Sequence, residues 1–233
     1  MVATEISHVP EGTWDAGHEP RVGVLAVQGA FMAHAAMLAR IGVRPVIVRE
    51  PDAIAGLHGL VLPGGESTTM TLLMQANGLW SAVGAHIASG APVLATCAGT
   101  ILLAQRILDG RQDQDSLAVV DITVRRNGFG RQAESFEAPL DIPGEPPMKG
   151  VFIRAPVIEE TGPGVDVLAR VGAPYPPTPA LCRSGNIFLT TFHPELTHDT
   201  RVHRAAFGPQ GGTRTLADRD LIAAAGQVRP WPA

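Results

Sequence analysis

The chain has 233 residues, 45% of them hydrophobic and 17% charged, enough apolar material for one large domain or two small ones with a sizeable core. Its formal net charge of -4 gives no electrostatic case for nucleic acid or an anionic membrane as a partner. Two cysteines, Cys97 and Cys182, make no disulfide framework and fit a reducing, cytoplasmic compartment, and no apolar run approaches the roughly 18 residues of a membrane helix.

Residues 1–20 are polar and acidic, with no basic stretch leading into an apolar one, so we read no secretory signal there and expect a disordered leader. Residues 21–27 form the first predicted strand, apolar enough to be buried on both faces. Gln28-Gly29 turns it into a helix over residues 30–41, with Met37 and Leu38 on the inner side. Strands follow at 43–48 and 59–62, the second ending in Pro63-Gly64-Gly65, then helices at 66–76 and 79–88. A strand leads into Cys97, and a helix is expected from there to Leu108. Short strands alternating with helices predict parallel βαβ units with helices on both faces of the sheet.

After Gly110 the texture changes to short strand candidates at 117–124, 135–140, 151–158, 165–171, 180–182 and 187–192. A proline-rich stretch at 174–179 reads as an extended, exposed loop. These strands are expected to extend the same sheet and add a small antiparallel part. The fold expected is therefore α/β: a single-domain three-layer α/β/α with a mostly parallel central sheet. We expect residues 21–207 to form that domain and residues 208–233, rich in Gly, Pro and Ala, to be an atypical tail with a weak helix at 216–225.

Cys97 sits where strand gives way to helix, between Ala95 and Gly99, each two positions away. That is the layout of a nucleophile elbow, which needs small neighbours. The sulfur there faces a helix N-terminus, whose partial positive charge favours an anion. Taken alone, the segment fits a small buried core residue equally well. Ligands in open parallel sheets gather at the carboxyl ends of strands. Four chemically loaded stretches fall at such ends: Gln28-Gly29, residues 63–67, Cys97 and His193-Pro194-Glu195.

With Cys97 as nucleophile, His193 is the best base among the eight histidines, and Glu195 can orient its ring, with Pro194 expected to hold an extended geometry between them. The N–H groups of Gly64, Gly65 and Ala98 are candidates for an oxyanion hole. A phosphate loop is disfavoured because its lysine and spacing are absent. Within residues 125–132, Arg125-Arg126-Asn127-Gly128-Phe129-Gly130-Arg131-Gln132, a guanidinium can grip a substrate carboxylate. Arg154 is read inside an apolar strand, where its charge requires an anionic partner or ligand. His193, His198 and His203 recur every five residues, but on a helix that step swings each ring about 140° from the last, and Pro194 breaks a continuous helix, so a metal site is not expected. Cys182, His34, His58 and His86 read as core or surface residues.

Taken together, residues 62–69 (Leu-Pro-Gly-Gly-Glu-Ser-Thr-Thr), 96–99 (Thr-Cys-Ala-Gly), 126–132 (Arg-Asn-Gly-Phe-Gly-Arg-Gln), 152–156 (Phe-Ile-Arg-Ala-Pro) and 192–197 (Phe-His-Pro-Glu-Leu-Thr) carry a family resemblance. From about residue 21 to 207 the chain resembles the glutaminase subunits of pyridoxal 5'-phosphate synthase, triad-type (class I) glutamine amidotransferases with a flavodoxin-like fold. The resemblance implies hydrolysis of L-glutamine to glutamate and ammonia, without cofactor or metal. It also implies delivery of the ammonia to a (β/α)8-barrel synthase subunit in a hetero-oligomeric complex, with activity depending on docking.

By position, the resemblance makes Cys97 the nucleophile, His193 the base and Glu195 its orienter. Gly65, Glu66, Ser67, Arg126, Ile153 and Arg154 fall where the family binds glutamine, and Gln28 with the following helix where it meets the synthase. The chain departs from the family at Ala95 (usually Gly), at Ala33 (commonly acidic) and at Gly208-Pro209, which interrupts the last helix. The alternatives are a glutaminase serving another acceptor, such as an imidazole-glycerol-phosphate synthase, and a catalytically silent regulatory subunit.

Overall fold

An apolar strand such as β1 (Arg21–Leu25), buried at every position after its first, is stable only between two covering layers. The computed structural model describes residues 20–111, 114–129 and 135–208, and supplies both layers. In chain order β1 is followed by α1 (Phe31–Arg40), β2 (Arg44–Val48), β3 (Gly59–Leu62), α2 (Ser67–Ala76), α3 (Leu79–Ala88), β4 (Val93–Thr96) and α4 (Ala98–Leu103). Then come β5 (Ala104–Leu108), β6 (Val120–Arg125), β7 (Ser135–Asp141), β8 (Met148–Ile153), β9 (Val157–Thr161), β10 (Asp166–Val171), β11 (Pro179–Ser184), β12 (Ile187–Thr190) and α5 (Arg201–Phe207). Strand side chains alternate between faces. Val22, Val24, Val61 and Leu94 pack with Leu38 of α1 and Val202 and Phe207 of α5. Leu60, Leu62, Val93 and Ala95 pack on the other face with Met70, Met74, Val83 and Ile101 from α2, α3 and α4. The three-layer α/β/α arrangement is therefore as expected.

Among the described residues the main sheet has nine strands, in the order β2-β1-β3-β4-β12-β11-β10-β7-β8. From β2 to β12 every pairing is parallel; from β12 to β8 every pairing is antiparallel. The antiparallel part is thus a continuation of the main sheet. A separate three-stranded sheet, β5-β6-β9, pairs β5 with β6 in parallel and β6 with β9 antiparallel.

Two expected elements are redrawn. The helix after Cys97 ends at Leu103, and residues 104–108 are β5; no Gly or Pro marks the change, and pairing with β6 overrides a helix-compatible local sequence. The single strand expected over 151–158 is two strands in two sheets. It breaks at Arg154, whose φ is +42°, just before Ala155-Pro156, where proline cannot donate to a ladder. At the end of the domain α5 stops at Phe207 and Gly208 is extended, as the residue before Pro209 must be. Residues 1–19 of the leader expected over 1–20, the helix at 216–225 and Gly130, Arg131 and Gln132 lie outside the described residues.

Candidate active site

β4 passes into α4 through a single residue, Cys97, whose φ of 49° and ψ of -105° lie outside the favoured regions. Such a conformation costs about 1–3 kcal/mol and persists only when its surroundings over-determine it. Here the Cys97 N–H donates to the Thr190 carbonyl at 2.8 Å. The Thr100 hydroxyl lies 2.8 Å from the same carbonyl and 3.2 Å from that of Ala95, tying the first turn of α4 back to β4 and β12. Gly99 lets α4 lie against β3, since a Cβ there would sit 2.1 Å from the Leu62 carbonyl oxygen.

The loop after β12 brings His193 to this elbow. The ring hydrogen-bonds to Cys97, and its Nδ1 lies 2.7 Å from Oε1 of Glu195. Gly64 gives an independent measure of the convergence: a methyl group on it would stand 2.5 Å from His193 Cε1 and 3.2 Å from Cys97 Cβ. Pro194 does not extend the chain as expected. It opens a 3-10 turn, Pro194–Leu196, which curls the carboxylate back under the ring. The Cys97 thiol also faces the Ile153 carbonyl at 3.9 Å.

Burial opposes charge on the His193 ring, but the hydrogen bonds to Cys97 and Glu195 and the charges on both outweigh it, raising the ring to about 10. Burial likewise opposes charge on Glu195, and is outweighed by His34 and His193, which hold the carboxyl below its ordinary value. An imidazole so placed can hold a proton beside the sulfur and return it to a leaving group.

These groups open onto a cavity of about 220 Å³. Gly64, Gly65, Glu66, Ser67, Ala98, Arg126, Ile153 and Arg154, all singled out in the sequence, line it together with Cys97 and His193. The Glu66 carboxylate caps α2, accepting from the N–H groups of Thr68 (3.2 Å) and Thr69 (2.8 Å), and takes Arg126 Nη2 at 2.8 Å. Burial works against its charge, yet the Thr69, Thr68 and Arg126 contacts hold it at about 2. Gln28, assigned by resemblance to a partner contact, turns its Oε1 inward to accept from the Glu66 N–H at 2.8 Å.

Arg126, in the turn after β6, is half-buried and paired: Gln114 Oε1 also accepts from its Nη1 at 2.6 Å, and Gln114 Nε2 donates to Ser67 Oγ at 2.8 Å. Arg154 corrects its expectation. It lies exposed in the break between β8 and β9, making no hydrogen bond or ion pair among the described residues. No buried counter-charge is therefore required.

Sequence reasoning passed over Gln114, read His34 as a core or surface residue and weighed His203 only as a metal ligand. Both are fully buried, His34 beside Glu195 and His203 beside His34, and nothing in the local spacing pointed to that arrangement. A histidine on the apolar side of each helix was the one available signal. Cys182 is buried on β11, away from the cavity, and burial pushes its thiol up to about 12.

Comparison with known proteins gives the family and the fold. The model of the SNO glutamine amidotransferase family matches residues 24–207. The pyridoxal 5'-phosphate synthase subunit PdxT of Acidothermus cellulolyticus is 49% identical over 189 residues, covering 80% of this chain and 91% of that protein. The protein of the same name from Deinococcus radiodurans is 47% identical over 194 residues, covering 82% of this chain and 97% of its own. A crystal structure of a glutamine amidotransferase, 44% identical, superposes with a TM-score of 0.72 and covers 78% of this chain and 95% of that one. A putative GMP synthase subunit from Thermoplasma acidophilum, 20% identical with a TM-score of 0.56 over 78% of this chain and 87% of its own, shares the fold. Matched by the family's model and by relatives close to half identical over almost their whole length, the chain belongs to the SNO glutamine amidotransferase family.

Proposed function

We propose that this chain is the glutaminase subunit of a pyridoxal 5'-phosphate synthase, with residues 21–207 as the working domain. It hydrolyses L-glutamine to glutamate and ammonia and passes the ammonia to a synthase subunit with a (β/α)8 barrel. The observation that carries this reading is the meeting of Cys97 and His193 at the wall of one cavity, with Glu195 buried behind the imidazole, in a chain whose relatives bear the synthase-subunit name. Those names also disfavour a different acceptor.

In the reaction, the Cys97 sulfur attacks the side-chain amide carbon of glutamine, its proton being held on His193. The negative charge that develops on the amide oxygen is met by the N–H groups of Gly65 and Ala98, the latter having no acceptor within its own helix. The C–N bond then breaks as His193 gives its proton to the departing ammonia, leaving a γ-glutamyl thioester on Cys97. Water adds to the thioester carbon, His193 takes the water's proton, and the C–S bond breaks to release glutamate. Arg126 and Arg154 bring positive charge to the substrate's α-carboxylate, and the Ile153 carbonyl offers an acceptor to its ammonium.

Docking next to the cavity is supported by exposed apolar side chains near its lining residues: Met32, two positions after Ala30, Ile153 itself, and Leu196, which follows Glu195. Both cysteines are free, in keeping with a cytoplasmic setting, and no helix among the described residues is long and apolar enough to cross a membrane. Ammonia release, measured with and without the cognate synthase, tests the reading. Release should require the synthase, and Cys97→Ala should abolish it while still binding the synthase. Wild-type release by Cys97→Ala in the complex would overturn the assignment.

A further inference from the structure

Glu195 has two carboxylate oxygens, and only Oε1 meets His193. The other, Oε2, lies 3.3 Å from Nε2 of His34 on α1, and both side chains are wholly buried. That ring nitrogen also hydrogen-bonds Thr96 Oγ1 at 3.2 Å, the residue before Cys97. On its far side His34 Nδ1 lies 3.0 Å from Nε2 of His203 on α5. His203 Nδ1 and Glu195 Oε2 are both buried with no hydrogen-bond partner, so the 3.3 Å approach of His34 Nε2 to Glu195 is an electrostatic contact and the ring's hydrogen bond on that side goes to Thr96. The four side chains therefore run in one buried line, His193–Glu195–His34–His203. Neither His34 nor His203 lines the cavity.

Burial disfavours charge on both outer rings, so each is neutral and carries one N–H. A single proton lies between His34 Nδ1 and His203 Nε2. If it belonged to His34, that ring would turn a bare lone pair toward the Glu195 carboxylate, and His203 would bury its only N–H on the partnerless Nδ1. If it belongs to His203, His34 carries its N–H on Nε2, bonded to Thr96 and beside Glu195, and only acceptors are left over, His203 Nδ1 and Glu195 Oε2. Buried orphan N–H groups are the rarer and costlier defect. The second arrangement is the stable one.

We propose that His34 and His203 are positioning residues for the glutaminase reaction: His203 fixes the tautomer of His34, so that the ring turns the positive end of its Nε2–H, and not a lone pair, to the side where Glu195 Oε2 lies 3.3 Å away, and the carboxylate stays aimed at His193. The proposal rests on the reading of Cys97, His193 and Glu195 given above. The titratable groups facing His34 are Glu195 and His193 from the segment after β12 and His203 from α5; from β4 it meets the Thr96 hydroxyl. Arg40, on its own helix, is turned to Met37 and the His198 carbonyl.

The test is the pH profile of kcat/KM for ammonia release by the full complex, with thermal midpoints in parallel. His34→Ala removes the Nε2–H dipole that lies beside Glu195 Oε2, so the acid limb should move to higher pH, by about one unit for a tenfold weaker hold. His34→Gln keeps an amide N–H near Nε2 and should return the limb toward wild type; His203→Ala should shift it in the same direction as His34→Ala. A lowered midpoint with an unmoved limb in a folded His34→Ala complex would reduce both residues to core packing and overturn the proposal. Should His34→Ala fail to fold, ring nitrogen NMR of the wild-type chain decides: a neutral His34 protonated on Nε2 supports the relay, and a proton on Nδ1 refutes it. That spectrum needs no turnover, so its result is separable from any failure of Cys97 to act as nucleophile.

Discussion

A methyl group added at Gly64 tests the geometry of the site without removing any functional atom. Gly64 has no positive φ, so alanine meets no backbone penalty there. The added Cβ would lie 2.5 Å from His193 Cε1 and 3.2 Å from Cys97 Cβ, both on buried side chains with little freedom to yield. To reach an ordinary contact of about 3.5 Å the imidazole must retreat by roughly 1 Å. A displacement of that size at a reacting group costs on the order of 100-fold in rate, about 2.7 kcal/mol of barrier. Overpacking adds about 1–3 kcal/mol of lost stability.

Gly64→Ala should therefore release ammonia about 100-fold more slowly in the complex, with the loss in kcat, and melt at a lower temperature. Gly164→Ala is the control: its Cβ would meet nothing within 4 Å and its φ is not positive, so activity and stability should both be unchanged. A Gly64→Ala complex within threefold of wild-type kcat/KM would refute the close approach of His193 to Cys97.

Other sites give sharper single readouts. Gly99→Ala would press a methyl to 2.1 Å from a main-chain oxygen of β3, which cannot swing aside, so chemical denaturation should show a loss of about 3 kcal/mol or no folded protein. Arg154→Ala should raise KM for glutamine about tenfold and leave the melting temperature unchanged, because that side chain makes no hydrogen bond or ion pair among the described residues. The His193 ring is raised from 6.5 to about 10, so the protonated ring contributes stability that is fully present below pH 6.5 and is lost as pH rises to about 10. Wild-type stability should fall across that window, and His193→Gln should flatten the fall in denaturant titrations.

Much of this site was legible before any coordinates because its parts are local. A small–x–Cys–x–small stretch between an apolar strand and a helix-compatible run spells an elbow, and Cys97 has the strained φ that an elbow demands. Gly64-Gly65 after a buried strand, and His193 two positions before Glu195, are likewise written within a few residues. Gln114 was invisible for the opposite reason. It belongs to the site only because the chain after β5 folds back over Ser67 and Arg126. Arg154 was misread through one local detail: Pro156 was taken as part of a strand that it breaks.

The amino-acid pattern by itself determined the layered fold and the local pieces of the site: the elbow at Cys97, the Gly64-Gly65 turn, and His193 two positions before Glu195. Each of these follows from periodicity or turn chemistry spanning a handful of residues. Tertiary structure alone decided that residues 104–108 leave the helix to pair with β6, that β8 and β9 part into different sheets, and that His34 and His203 close behind Glu195. Those outcomes depend on which distant segments share a layer. A buried imidazole on α1 finds its carboxylate only after the sheet has been assembled between them.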